Sequence, residues 1–237
     1  MAKGYRGLLC GVGINDADYT VCVVESQGVS VTGQRIRKQV WICPFYQKWK
    51  GMLTRAYNFS KFDTAQTYAG ASVCEEWLTF TKFKAWMQRH EWENKYLDHD
   101  LLVPGSTEFN PDTTCLVSGT VNRFLNESAG ARGRLPIGVT WDRVHCVLRS
   151  ATKVAGKRIH LGNHSTVEEA FYSWLNAKQG LAQIVADDEA DPRIKPAIIA
   201  RYENYPIPDF SQFATREELV GREAAQLLTA SELFLTA

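Results

Sequence analysis

Between Leu135 and Lys178 the hydrophobic period of the chain changes, and that change restricts the fold more than any other feature. "IGVTW", "RVHCVLRS" and "KRIHLG" read as three short strands, with "VAGK" as a hairpin turn between the last two. In the second, Val144, Cys146 and Leu148 alternate with Arg143, His145, Val147 and Arg149. In the third, Arg158 and His160 lie opposite Ile159 and Leu161. The period then becomes helical in "HSTVEEAFYSWLNAKQG". Thr166 and Glu169 have capping-box spacing, and Ala170, Phe171, Trp174 and Leu175 fall on one face. Three strands followed by one such helix make a small sheet backed by a helix, which leaves the basic face of the sheet outward.

Charge bears on what that face meets. The net charge is +1 over 237 residues, but it is unevenly spread. From Arg132 to His160 there are seven basic residues (Arg132, Arg134, Arg143, Arg149, Lys153, Lys157 and Arg158) against one acid, Asp142. From Glu168 onward twelve acids face six bases. A basic block beside an acidic extension favours a local polyanion-binding face. The chain is long enough to bury a real core in one or two domains. No apolar run approaches the ~20 residues of a membrane-spanning helix, and the N-terminal apolar patch is too short for a secretory signal, so a cytoplasmic protein is expected. Six widely spaced cysteines, with no CxxC pair, read as free thiols in a reducing compartment.

Upstream, residues 1–40 read as strands and turns. "CPFYQKWKGMLTRAYN" reads as an amphipathic helix begun by Pro44, with Phe45, Trp49, Met52, Leu53 and Ala56 facing the core and Arg55 with the lysines opposite. "SVCEEWLTFTKFKAWMQRH" reads as a second helix with a Phe80, Phe83, Trp86 and Met87 stripe. In "KYLDHDLLVPGSTEFNPDTTCLVSGTVNRFLN", residues 95–126, a strand through Leu97, a bend at Gly105, a strand through "TCLVS" and a helix from about Thr120 give a β-β-α unit. "ESAGARGR", residues 127–134, reads as a linker.

The β-β-α unit carries the candidate chemistry. Phosphodiester hydrolysis needs a nucleophilic water, a base to take its proton, and a cation for the charge on the phosphate. Histidine suits the base, and carboxylate and amide oxygens suit magnesium. Asp98 and His99 are neighbours whose side chains diverge along a strand, and a bend at its end can aim them at one phosphate. A ligand from the following helix would close the site.

"LDHD…FNP…C…VN" resembles the ββα-metal core of HNH endonucleases, and "CPFYQKWKGMLTRAY…TYAGASVCEEWLTFTKFKAWM" resembles the segment preceding that core in phage-encoded, homing-type members. The resemblance implies Asp98 as metal ligand, His99 as general base and Asn122 as helix-borne ligand, with Asn126 the fallback. It implies that Asn110 braces the loop, and that Asp100 supports the metal or is solvated. The ion implied is magnesium or a similar divalent cation. A structural zinc held by Cys74 and Cys115 is doubtful, because Ala56 stands where many phage relatives carry cysteine.

Residues 135–180 resemble the AP2 DNA-binding domain through the Gly-Val of the first strand, the Leu-Gly after the third and "ST-x-EEA" at the helix start. That resemblance implies that the sheet enters the major groove of double-stranded DNA. The contacts expected are Arg143, His145, Arg149, Arg158 and His160, with Trp141, Lys157, Arg132 and Arg134 nearby.

The expected architecture is α+β: an HNH region over residues 1–126, a linker over 127–134, an AP2-like domain over 135–180 and an acidic helical extension over 181–237. The expected activity is site-directed DNA cleavage, by a nicking monomer or a homodimer cutting both strands. The alternative is a DNA-binding regulator that keeps the nuclease fold without cutting.

Overall fold

The computed structural model describes residues 7–58, 70–126, 135–154 and 156–223. The chain is mixed α+β and divides into two compact units, residues 1–117 and 118–237.

In the first unit, β1 (Cys22–Val29) and β2 (Arg35–Ile42) pair antiparallel as a separate two-stranded ribbon. Its side chains are exposed except at one end of the ribbon, where Cys22 pairs with Ile42. Two register shifts, at Val23/Val24 and Ser26/Gly28, interrupt the pairing. The next helix, α1 (Pro44–Tyr57), has Pro44 in its first turn, where the missing N–H costs nothing, and buries Trp49, Met52, Leu53 and Ala56.

The expected second helix is shorter than its sequence pattern. β3 (Ser72–Val73) comes first, a 3-10 turn covers Glu75–Leu78, and α2 (Phe80–Met87) starts only after Thr79. The reason is Trp77. Its carbonyl accepts the indole N–H of Trp49 at 2.7 Å, and its own ring packs edge-on to Phe83 and tilted against Trp86 at centroid distances of 5.2 and 4.5 Å. One continuous helix would keep that carbonyl for its own ladder. The predicted stripe of Phe80, Phe83, Trp86 and Met87 is buried in this core.

Two pairs of very short strands complete the unit. β4 (Tyr96–Asp98) runs antiparallel to β6 (Cys115–Val117), with Leu97 opposite Leu116 and Asp98 opposite Cys115. Between them in sequence, β5 (Glu108–Phe109) pairs parallel with β3. This pairing ties the 99–114 loop back to the aromatic core through Phe109, which is fully buried.

The second unit opens with α3 (Gly119–Leu125), capped by the Ser118 hydroxyl accepting from the Val121 amide. The Ser118 amide in turn donates to the Glu189 carboxylate at 2.7 Å. Its sheet has the order β7 (Val139–Asp142), β8 (Val147–Val154), β9 (Lys157–His164), all antiparallel. α4 (Val167–Ala182) packs across it, burying Ala170, Phe171, Trp174 and Leu175. The predicted capping box is present: the Thr166 hydroxyl accepts from the Glu169 amide, and the Glu169 carboxylate accepts from the Thr166 amide.

The second strand lies further along the chain than its alternation implies. Residues 143–146 form the β7–β8 turn, so Arg143, Val144, His145 and Cys146 do not alternate across a sheet. Asp142 causes this. Its carboxylate accepts the Val144 and His145 amides at 2.9 and 3.2 Å, closing an Asx turn that ends with Cys146 at φ 51°.

α5 (Ile194–Glu203) packs on α4, burying Ile194, Ile198 and Tyr202. The buried Lys178 amine donates to the Phe124 carbonyl at 2.5 Å and the Tyr202 hydroxyl at 3.1 Å, joining α3, α4 and α5. Beyond α5, Tyr205 and Phe210 pack their rings on Trp174 and Phe171 at 5.2 and 5.5 Å. The acidic extension thus contributes Ile194, Ile198, Tyr202, Tyr205 and Phe210 to the packing of this unit.

Candidate functional site

β4 ends at Asp98, and the bend expected there is formed by Asp98 itself. Its Oδ1 accepts from the amides of Asp100 and Leu101 at 3.2 and 2.9 Å, which turns the chain sharply after the strand. Leu101 is buried and anchors the far side of the bend. Burial pushes the Asp98 carboxyl above its ordinary range, and the neighbouring Asp100 carboxylate pushes it further.

His99 projects from the bend onto Phe109. The rings are stacked with centroids 4.2 Å apart and planes inclined by 16°. The Arg55 guanidinium also packs on Phe109, 5.1 Å from the ring centroid, and donates to the Leu97 carbonyl at 3.3 Å. Burial lowers the His99 pKa below its ordinary value and the Arg55 charge lowers it further, while Asp100 opposes both. The shift favours the neutral imidazole, the form able to accept a proton.

Asn110 lies in the same loop. Its side-chain carbonyl accepts the amides of Asp112 and Thr113, both at 2.9 Å, and its Nδ2 donates to Glu108 at 2.6 Å. Asn122 is half-buried on α3, and Asn126 is that helix's C-cap; both belong to the second unit.

The donors that fit a hard divalent cation here are the adjacent Asp98 and Asp100 carboxylates, whose oxygens are the type magnesium takes. Among the described residues no group of three His, Cys, Asp or Glu side chains converges as a metal cage. Cys115 is buried and Cys74 half-buried, its thiol pushed up by burial.

In the second unit, the register sorts the expected nucleic-acid contacts. Arg149 is paired with Thr140, Lys153 with Arg158 and Ala151 with His160, so Arg149, Lys153, Arg158 and His160 share the face turned away from α4. Leu148, Ser150 and Thr152 alternate with them and are buried on the other face. Trp141 pairs with Leu148 and so belongs to the inner side, although it borders the same outer depression as Arg143, Arg149, Arg158 and His160. Its buried indole N–H has no hydrogen-bond partner among the described residues, and neither has the Nε of Arg149. Lys157 is at the tip of the β8–β9 hairpin, opposite Val154. Arg132 and Arg134 lie outside the described residues.

The turn residues are engaged elsewhere. His145 Nδ1 is 2.9 Å from the Asp142 carboxylate, Arg149 Nη2 is 2.5 Å from it, and Arg143 is paired with Glu223 at 3.2 Å. The hydrogen bond from His145, with those of the turn amides, holds the Asp142 carboxyl below its ordinary range.

Sequence reasoning missed three participants. Arg55 was expected on the solvent side of α1, yet it packs on Phe109. Phe109 itself carried no visible signal, because its role depends on the β3–β5 pairing. Lys153 was legible: carrying the alternation from Arg149 through Ala151 puts it on the basic face. No family model, curated protein or solved structure matches the chain.

Proposed function

We propose that the protein is a DNA endonuclease that hydrolyses phosphodiester bonds with the help of one divalent cation, and that the outer face of its β7–β9 sheet holds the duplex. The observation that carries this reading is His99: an imidazole stacked on Phe109 and partly withdrawn from water, following directly on Asp98, which has the Asp100 carboxylate beside it. In this role His99 takes the proton of the attacking water. Phe109 fixes the ring, burial and the Arg55 charge lower its proton affinity, and Asn110 holds the loop that carries it. Asp98 is the residue that would hold magnesium or a similar ion. The ion would supply stabilisation of the charge on the phosphate and the leaving oxygen. Arg149, Lys153, Arg158 and His160 neutralise backbone phosphates or meet base edges. One such centre cuts one strand, so a monomer nicks and a homodimer cuts both. A homing-type role and a role in competition between phages both fit this activity.

The second reading is a DNA-binding regulator that does not cut. It is favoured by the Asp98 Oδ1 atom, which the turn already uses. Supercoiled plasmid incubated with magnesium separates the two. Nicking by the wild type that is lost in His99→Ala supports the enzyme. Equal background from both proteins, with duplex binding retained, supports the regulator.

A further inference from the structure

The register of the β1–β2 ribbon sorts its charges between two faces. Cross-strand partners share a face. Arg35 pairs with Val29, Arg37 with Ser26 and Gln39 with Val24, so Arg35, Arg37 and Gln39 line one face beside short, uncharged neighbours. All three are exposed, and among the described residues neither arginine is in an ion pair. Glu25 is the one acid of the two strands, and it pairs with Lys38 on the opposite face.

The two register shifts cause this sorting. Without the one at Ser26/Gly28, the register that pairs Val29 with Arg35 would run on and set Glu25 opposite Gln39, on the arginine face. Without the one at Val23/Val24, Trp41 would follow Gln39 on that face; it pairs with Val23 instead and turns to the other side. What is left is an extended face with two arginines and an amide, cleared of the acid and the indole. Such a face complements a polyanion.

Shape narrows the choice of polyanion. The paired strands lie about 4.8 Å apart, and eight residues span about 27 Å. The major groove of B-form DNA, about 12 Å wide, admits a two-stranded ribbon, whereas the major groove of an RNA duplex is too narrow for side chains to read. Same-face residues along a strand are about 6.8 Å apart. That is twice the about 3.4 Å rise between successive phosphates of one DNA strand. Arg35, Arg37 and Gln39 therefore fall at about every second base step.

We propose that the ribbon lies in the major groove of duplex DNA with its Arg35, Arg37 and Gln39 face inward. The two arginines hold phosphates flanking the groove, and Gln39 reaches a base edge. The inference rests on the reading of the chain as a DNA-binding protein. It adds a contact on the unit that carries Asp98 and His99, separate from the β7–β9 sheet.

The test is titration of the full chain with a labelled mixed-sequence DNA duplex, and with its RNA counterpart, over a range of salt. Arg35→Ala with Arg37→Ala should lower DNA affinity about tenfold at low salt and reduce the slope of log affinity against log salt by about two, at about 0.9 per phosphate contact. RNA affinity should not change. Arg37→Ala and Lys38→Ala remove one charge from each face, and only the first should move the slope. These side chains are exposed, so the variants keep the fold. Equal losses from Arg37→Ala and Lys38→Ala would mean diffuse attraction and overturn the proposal, as would an equal loss on the RNA duplex. Wild-type DNA affinity in the arginine double variant overturns it as well, and leaves the contact through the β7–β9 sheet standing. A wild type that binds no DNA overturns both.

Discussion

The two units present their polar residues in opposite ways. In the first, Asp98, His99 and Asn110 sit on a loop pinned to an aromatic core by two-residue and three-residue strands. In the second, Arg149, Lys153, Arg158 and His160 stand on a continuous sheet whose other face is covered by α4. Burial tunes proton affinity, so the loop residues are held partly out of water. Contact with a polyanion needs exposed charge at regular spacing, which an alternating strand supplies. The difference is between side chains drawn into an aromatic core and side chains displayed on an open sheet face.

The sharpest way to break this contrast is His99→Ala. On the nuclease reading it lowers the nicking rate by about 10²–10⁴-fold and leaves duplex affinity unchanged; gel assays and a binding titration read the two separately. Gly138→Ala attacks the other side. Gly138 has φ +77°, and an added Cβ would lie 2.1 Å from Trp174, under the sheet. Overpacking plus a strained backbone should cost about 3–4 kcal/mol in denaturant unfolding. Arg149→Ala with Arg158→Ala should weaken duplex binding and reduce the slope of log affinity against log salt by about two, at about 0.9 per phosphate contact.

Smaller effects follow the turns and caps. Thr166→Ala removes the α4 capping box and should cost about 1 kcal/mol of stability. Asp142 has a pKa below its ordinary value, so its contribution is complete above the ordinary carboxylate range of about pH 4 and is lost as pH falls through the depressed value. Between those two values the wild type should therefore lose more stability on acidification than Asp142→Asn, as thermal unfolding would measure.

Much of this was legible in the sequence where one local rule acted alone. The Thr166–Glu169 box, Pro44 at the start of α1 and the Ala170–Leu175 face each followed from spacing. The failures came where a side chain competed with a period. Asp142 captured two amides and moved the start of β8, and Trp77 gave its carbonyl to an indole and broke the second helix. In the first unit, Asp98 and His99 could be picked out by residue type. Their surroundings could not, because Phe109 reaches them through a parallel pairing with residues far upstream.

The β1–β2 ribbon has one more consequence. Among the described residues it pairs with no third strand, and Val23, Val24, Val29, Ile36, Val40 and Trp41 are exposed. Such a surface is a template for adding further strands, head to edge, from other molecules. The guards against this are Arg35, Arg37 and Lys38 together with the two register shifts, which twist the edge out of line and charge it. The ribbon thus presents its exposed apolar side chains beside a run of basic ones.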